Sequence, residues 1–262
     1  MNGLSMRIPR AALVTGASRR LGRAIARSLA ETGFSIAIHY RSDEEAASSL
    51  LAEIRTLGVQ GCLLQADFAD EEQVRGLVPQ AMAALGPLGV LVNNASTFER
   101  DEWDTVTRQS WQEHIEPNLR APFVLIQDFA RALPKGSEAM VLNMLDERVW
   151  SLTPHFVSYT VSKSALWTLT QTMALALAPR RIRVNAIGPG PALPSPRQTA
   201  EQFRRQCESV PLGHGTSPEE VAQAALALLA LPSVTGQMLA LDGGQHLQWH
   251  CSLPDAGHLT EE

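Results

Sequence analysis

The chain has 262 residues, hydrophobic residues make up 45% of it, and its formal net charge is -5. That length allows one well-buried core, and the charge gives no electrostatic reason to expect nucleic acid or anionic membrane as a partner. Three widely spaced cysteines, Cys62, Cys207 and Cys251, make neither a disulfide framework nor a metal cluster; with no signal-peptide pattern and no membrane-spanning run, the expectation is a cytoplasmic protein without a metal.

Short apolar runs alternate with helical patterns along the whole chain. Ala11 to Thr15 reads as a first strand, followed by a Gly-containing turn and a helix from Leu21 to Ala30. Ser35 to Tyr40 is a second strand, and Asp43 to Leu57 a helix with Asp43 as its N-cap. Cys62 to Ala66 and Val90 to Asn93 are strands separated by a helix from Glu71 to Leu85. One long helical stretch from Ser110 to Leu133 leads to a fifth strand, Ala139 to Met144. A helix from Val157 to Ala178 precedes strands at Ile182 to Ala186 and Met238 to Leu241. Strands apolar throughout are buried on both faces, and helix-length connections imply parallel pairing. The expectation is a single-domain α/β chain with a doubly wound, parallel, seven-stranded sheet of the Rossmann type, spanning 1–262. The Pro-rich stretch Gly188 to Pro196 reads as a long loop on one domain, and 245–262 reads as a C-terminal tail of unassigned role.

The first turn, Thr15-Gly16-Ala17-Ser18-Arg19-Arg20-Leu21-Gly22, lies between a strand and a helix. Glycines there let the backbone approach a pyrophosphate that sits at the helix N-terminus, which makes Gly16, Arg19, Arg20 and Leu21 candidate cofactor residues. A turn of this kind also has a purely structural use. After the second strand comes Tyr40-Arg41-Ser42, where an NAD enzyme would place a carboxylate for the ribose 2′-hydroxyl. An arginine there pairs with a 2′-phosphate instead, so NADPH/NADP+ is the expected cofactor. Asp67 and Phe68 after the third strand, and Asn93, Ala95 and Ser96 after the fourth, fall on the same carboxyl edge of the sheet.

Tyr159 and Lys163 are four residues apart on a helix and share a face. A phenol is a poor acid–base group at neutral pH, and Lys163 is expected to lower its pKa. Asp146 follows the fifth strand, at the same edge. A partly apolar cleft is expected to raise its carboxyl pKa, so that it can donate a proton. An exposed loop pair with Glu147 is the plainer alternative.

Together these motifs resemble the short-chain dehydrogenase/reductase family from about Ala11 to Gly244. The match includes Asn118, Arg183-Val184-Asn185, Pro189-Gly190 and Asp242-Gly243-Gly244. Two departures, Arg20 for the usual glycine and Asp146 for the usual serine, resemble the pteridine reductase branch, as do His39 to Ser42, Asn143 to Asp146 and Ser96-Thr97-Phe98. The resemblance implies that Asp146, Tyr159, Lys163 and Asn118 are catalytic, with Asn118 holding a water relay from a helix kink. It implies cofactor contacts from Lys163, Pro189 and Gly190, and substrate contacts from Arg20, Ser96, Phe98, Asp146 and Tyr159, with Phe98 stacking on a pterin. A substrate loop over about 191–215 is implied as well, and so is a homodimer or homotetramer, built partly on the apolar helix from Ala165 to Ala178. Two other readings stay open: a general carbonyl reductase of the same family (for a 3-oxoacyl thioester, sugar or other ketone), and a non-catalytic NADPH-binding sensor.

Overall fold

Strand alternation divides the hydrophobic residues between two faces of one sheet. In β1 (Ala11–Val14), Ala12 and Val14 join the core on one side, and Ala11 and Leu13 join the core on the other. The first core is shared with α1 (Arg20–Glu31), α2 (Glu44–Thr56) and α8 (Pro218–Ala230). The second is shared with α3 (Glu71–Leu85), α5 (Ala121–Ala132) and α6 (Val157–Leu177). Each fully buried Leu, Ile or Phe here contributes about 1.5–3 kcal/mol by leaving water. The computed structural model describes residues 4–195 and 197–248, so Trp249, His250 and Cys251 of the expected tail lie outside the described residues.

The remaining strands are β2 (Ser35–Tyr40), β3 (Gly61–Gln65), β4 (Val90–Asn93), β5 (Ala139–Met144), β6 (Ile182–Pro189) and β7 (Met238–Leu241). They form a seven-stranded sheet of order β3-β2-β1-β4-β5-β6-β7, parallel at every pairing. The order reverses between β1 and β4, and loops diverging at that switch point leave a crevice at the strand carboxyl ends. The expected strand positions hold, with β6 running on to Pro189. Asp43 caps α2 by accepting from the Ala46 N–H at 3.0 Å.

The long helical stretch is not continuous. It divides into α4 (Arg108–Ile115), a π-helical turn at Glu116–Arg120, and α5. Pro117 removes a backbone donor inside the stretch, and the wider turn absorbs the break at Asn118. The stretch over 191–215, expected as a substrate loop, contains a helix of its own, α7 (Ala200–Ser209), whose N-terminus is closed by a capping box between Thr199 and Gln202. No helix among the described residues is long and apolar enough to cross a membrane.

His39 connects three loops at the crevice. Its Nδ1 accepts from the Gly16 N–H at 3.0 Å, its Nε2 lies 3.1 Å from the Ala66 carbonyl, and its ring stacks on Phe68 at 4.4 Å. Nδ1 must keep its lone pair for that bond, so the ring is neutral with the proton on Nε2. Desolvation holds its pKa down to about 4 from 6.5. Between those pH values the unfolded chain binds the extra proton and the folded chain does not, so stability falls as pH drops through this window. The contribution lost is about 3 kcal/mol by pH 4. Urea unfolding of wild type and His39→Gln from pH 7 to 4 should therefore show a shallower acid loss for the variant.

Candidate active site

A cleft of about 1190 Å³ opens along the carboxyl edge of the sheet. Its wall at the first turn depends on close backbone contact. Gly16 has φ of +60°, and a Cβ on Gly22 would lie 2.4 Å from the Gly16 carbonyl oxygen and 2.5 Å from Asn94 Nδ2. Asn94 bonds the carbonyls of Thr15 and Gly16 at 2.9 and 3.1 Å, so this side chain locks the turn. Sequence reading picked out its neighbours Asn93 and Ala95 but not Asn94 itself. Asn93 does the opposite of what its position implied: it turns into the sheet and donates to Asn143 Oδ1 at 2.8 Å, and it does not line the cleft.

The N-terminus of α1 has neither a side-chain cap nor an acidic residue in its first turn. Arg20, where the family pattern has glycine, adopts φ of +55°, a conformation costly for arginine. Its guanidinium donates to the carbonyls of Pro194 at 3.0 Å and Leu193 at 3.3 Å, which fastens the loop after β6 across the cleft. Arg197 makes a second fastening, to the Glu99 carboxylate at 2.5 Å and the Phe98 carbonyl at 3.2 Å. Sequence reading missed Arg197, because only the folded loop brings it there.

Further along the cleft lie Leu21, Tyr40, Arg41, Ser42, Asp67, Phe68, Ala95 and Ser96. Arg19 lines it too, paired with Asp43 at 3.1 Å, so the one carboxylate next to Ser42 is already neutralised. Arg41 is exposed. Gly190 must be glycine for a different reason from Gly16: a Cβ there would lie 2.8 Å from Asp242. These features fit a dinucleotide: a glycine cradle, an uncapped helix end for a pyrophosphate, and an exposed arginine at the adenosine end.

At the other end, the Tyr159 hydroxyl donates to Asp146 Oδ2 at 2.8 Å, and Asp146 Oδ1 accepts from the Arg148 N–H at 3.0 Å. Asp146 is thus arranged as an acceptor rather than as a donor. Burial, followed by the Asp146 charge, pushes the Tyr159 pKa well above 10, while Arg148 opposes the rise. The expected effect of Lys163 on the phenol is not what this geometry gives. Lys163 Nζ donates to the Met144 carbonyl at 2.8 Å and lies 5.7 Å from the centre of the Tyr159 ring. Burial brings its own pKa down to about 8, against the pull of Asp146.

Asn118 is buried, and its side chain is fully occupied away from the cleft. Oδ1 accepts from the Thr97 N–H at 2.8 Å and from Ser96 Oγ at 3.0 Å; Nδ2 donates to the Thr97 carbonyl and to Ser162 Oγ, each at 3.0 Å. It fixes the loop that carries Ser96 and Phe98. Phe98 lines the cleft, stacked on Phe156 at 4.6 Å and edge-on to Tyr159 at 4.7 Å.

The family model described as Enoyl-(Acyl carrier protein) reductase, a short-chain dehydrogenase/reductase model, matches residues 16–246. The chain belongs to the short-chain dehydrogenase/reductase family. It is 30% identical to a 3-oxoacyl-[acyl-carrier-protein] reductase of Staphylococcus aureus, over 92% of this chain and 100% of the relative. It is 36% identical to 3beta-hydroxysteroid dehydrogenase 1 of Eggerthella lenta, over 90% and 93%. The crystal structure of FolM Alternative dihydrofolate reductase 1 from Brucella suis in complex with NADP has a TM-score of 0.90 to this chain at 44% identity, covering 94% of this chain and 99% of that one. As a short-chain dehydrogenase/reductase, the chain is an oxidoreductase with the family's parallel sheet and its Tyr159–Lys163 pair facing the crevice.

Proposed function

We propose that this chain is an NADPH-dependent reductase of dihydropterins, including dihydrofolate-like compounds. The observation that carries the reading is the bond between Tyr159 and Asp146, a proton-sharing pair where most of the family has a serine. The 44% identity to an alternative dihydrofolate reductase bound to NADP supports both the substrate class and the cofactor.

NADPH supplies a hydride when bound. The chain's own groups do the rest. Gly16, Arg19 and the start of α1 hold the pyrophosphate, with Arg20 and Leu21 beside it. Arg41 and Ser42 receive the 2′-phosphate, Asp67 and Phe68 border the adenine, and Ala95, Pro189 and Gly190 shape the floor. Lys163 stays cationic at neutral pH, below its pKa of about 8, and is placed to bond the nicotinamide ribose. Phe98, backed by Phe156, offers a flat ring on which a pterin stacks beside the nicotinamide. The phenol of Tyr159 keeps its proton until hydride arrival makes a pterin nitrogen strongly basic. Asp146 orients that proton and, once it has left, passes a fresh one from solvent to the Tyr159 phenolate. A ketone oxygen would need only a hydroxyl donor in place of Asp146. Association into a homodimer or homotetramer is part of this reading. Exposed Val161 and Leu175 on α6 and Trp111 on α4 support it, whereas Leu166 and Leu177, in the helix expected at the interface, are spent in the core.

NADPH oxidation by wild type should be fastest with dihydrobiopterin or dihydrofolate and slow with a ketone panel. Tyr159→Phe should reduce turnover by about 10²–10⁴-fold with NADPH affinity preserved. A preference for ketones would move the chain to the general carbonyl reductases, and turnover unaffected by Tyr159→Phe would remove the proton donor. Arg41→Asp should weaken NADPH binding by about 10–100-fold and improve NADH use, read as the ratio of kcat/KM for the two cofactors. An unchanged ratio would place the 2′-phosphate elsewhere.

A further inference from the structure

A second buried polar cluster lies behind Tyr159, away from the reacting groups, and nothing above uses it. Asp101, His114 and Ser158 are 5%, 0% and 0% exposed. They come from the loop after β4, from α4 and from the first turn of α6. The hydrogen bonds have a fixed direction. The Glu99 N–H donates to His114 Nε2 at 3.0 Å, so the imidazole proton is on Nδ1. Nδ1 lies 2.9 Å from the Ser110 carbonyl and 2.7 Å from Ser158 Oγ. Ser158 Oγ donates in turn to the Asp101 carboxylate, whose other oxygen accepts from the Ser158 N–H at 3.1 Å. The Asp101 carbonyl accepts from the Phe156 N–H at 2.9 Å.

These are the residue types of a hydrolytic triad, but their order is wrong for one. A nucleophilic serine gives its proton to an imidazole that a carboxylate orients. Here the hydroxyl stands between carboxylate and imidazole, gives its proton to the carboxylate, and is buried. The arrangement matches a helix cap instead. The residue preceding α6, Phe156, has φ of 56° and no side-chain acceptor to offer, so α6 begins without a cap of its own. The first N–H groups of a helix need acceptors, and a negative charge there is favoured by the helix dipole. Asp101 supplies both from another loop. Tyr159 lies in that first turn, and Glu99, held by His114, adjoins Phe98.

We propose that Asp101, Ser158 and His114 form a positioning network that caps α6 from outside and fixes the Tyr159 phenol and the Phe98 ring in register with each other. This inference rests on Tyr159 as proton donor, because the placing of Phe98 matters to turnover only through its register with that phenol. None of its three residues lines the cleft. A displacement of about 1 Å at a reacting group costs about 100-fold in rate, so a frayed first turn would be costly even with the fold intact.

The test measures kcat per NADPH-binding site, with sites counted by fluorescence titration, in Asp101→Asn and Ser158→Ala. Both should lose about 10–100-fold in kcat while NADPH affinity stays within about twofold. On a Tyr159→Phe background, adding Asp101→Asn should change the residual rate by less than about twofold, because the group it positions is gone. Values of kcat per site near wild type in both single variants would overturn the proposal. So would a full additional loss on the Tyr159→Phe background, or the absence of NADPH-binding sites in both variants, which would assign the cluster to folding alone. Retained turnover in Tyr159→Phe by itself would contradict the proton-donor reading and is seen before Asp101 is changed.

Discussion

The hydrogen bond from Tyr159 to Asp146 joins the first turn of α6 to the loop after β5. Everything else in the site depends on that junction. It sits where burial penalises charge on the phenol, so the proton stays on Tyr159 until a stronger base arrives. The negative partner is held by the Arg148 N–H, and Lys163 is tied to the Met144 carbonyl one strand-end away. Phenol and ammonium are thus mounted on α6, and the carboxylate stands two residues past the end of β5. A general acid with a high pKa suits a substrate that becomes basic only as the hydride reaches it.

Around this junction the chain builds two different walls. The dinucleotide wall is made of backbone brought close: Gly16 and Gly22 locked by Asn94, and the turn held by a neutral His39. The opposite wall, against which we propose the substrate lies, is made of side chains: Phe98 on Phe156, with Arg20 and Arg197 fastening the loop opposite. The positive φ of Arg20 belongs to the second wall as much as to the first. A glycine would take that conformation freely, but it could not reach the carbonyls of Leu193 and Pro194.

What the sequence made legible was periodic or local. Strands with two buried faces, the turn between β1 and α1, and the Tyr159–Lys163 spacing depend on neighbours a few residues away. They appear in the structure where they were expected. Long-range contacts were hidden. No local pattern shows that Asn93 turns inward to Asn143, fifty residues distant, or that His39 must be neutral to hold Gly16. No local pattern marks Asp101 either, because the helix whose first turn it bonds begins over fifty residues later. The Lys163–Tyr159 relation was half legible: the shared face followed from helix geometry, but the charge effect on the phenol depends on what the ammonium bonds to, and that is Met144.

Our proposal makes Asp146 the residue that separates a pterin reductase from a ketone reductase, and substituting it tests that separation most directly. Steady-state NADPH oxidation by wild type and Asp146→Ser should be compared on dihydrobiopterin, dihydrofolate and a small ketone panel. Pterin turnover should fall by about 100-fold in the variant, with ketone turnover changed by less than about tenfold. Equal losses on both substrate classes would contradict the role given to Asp146 and the pterin assignment with it.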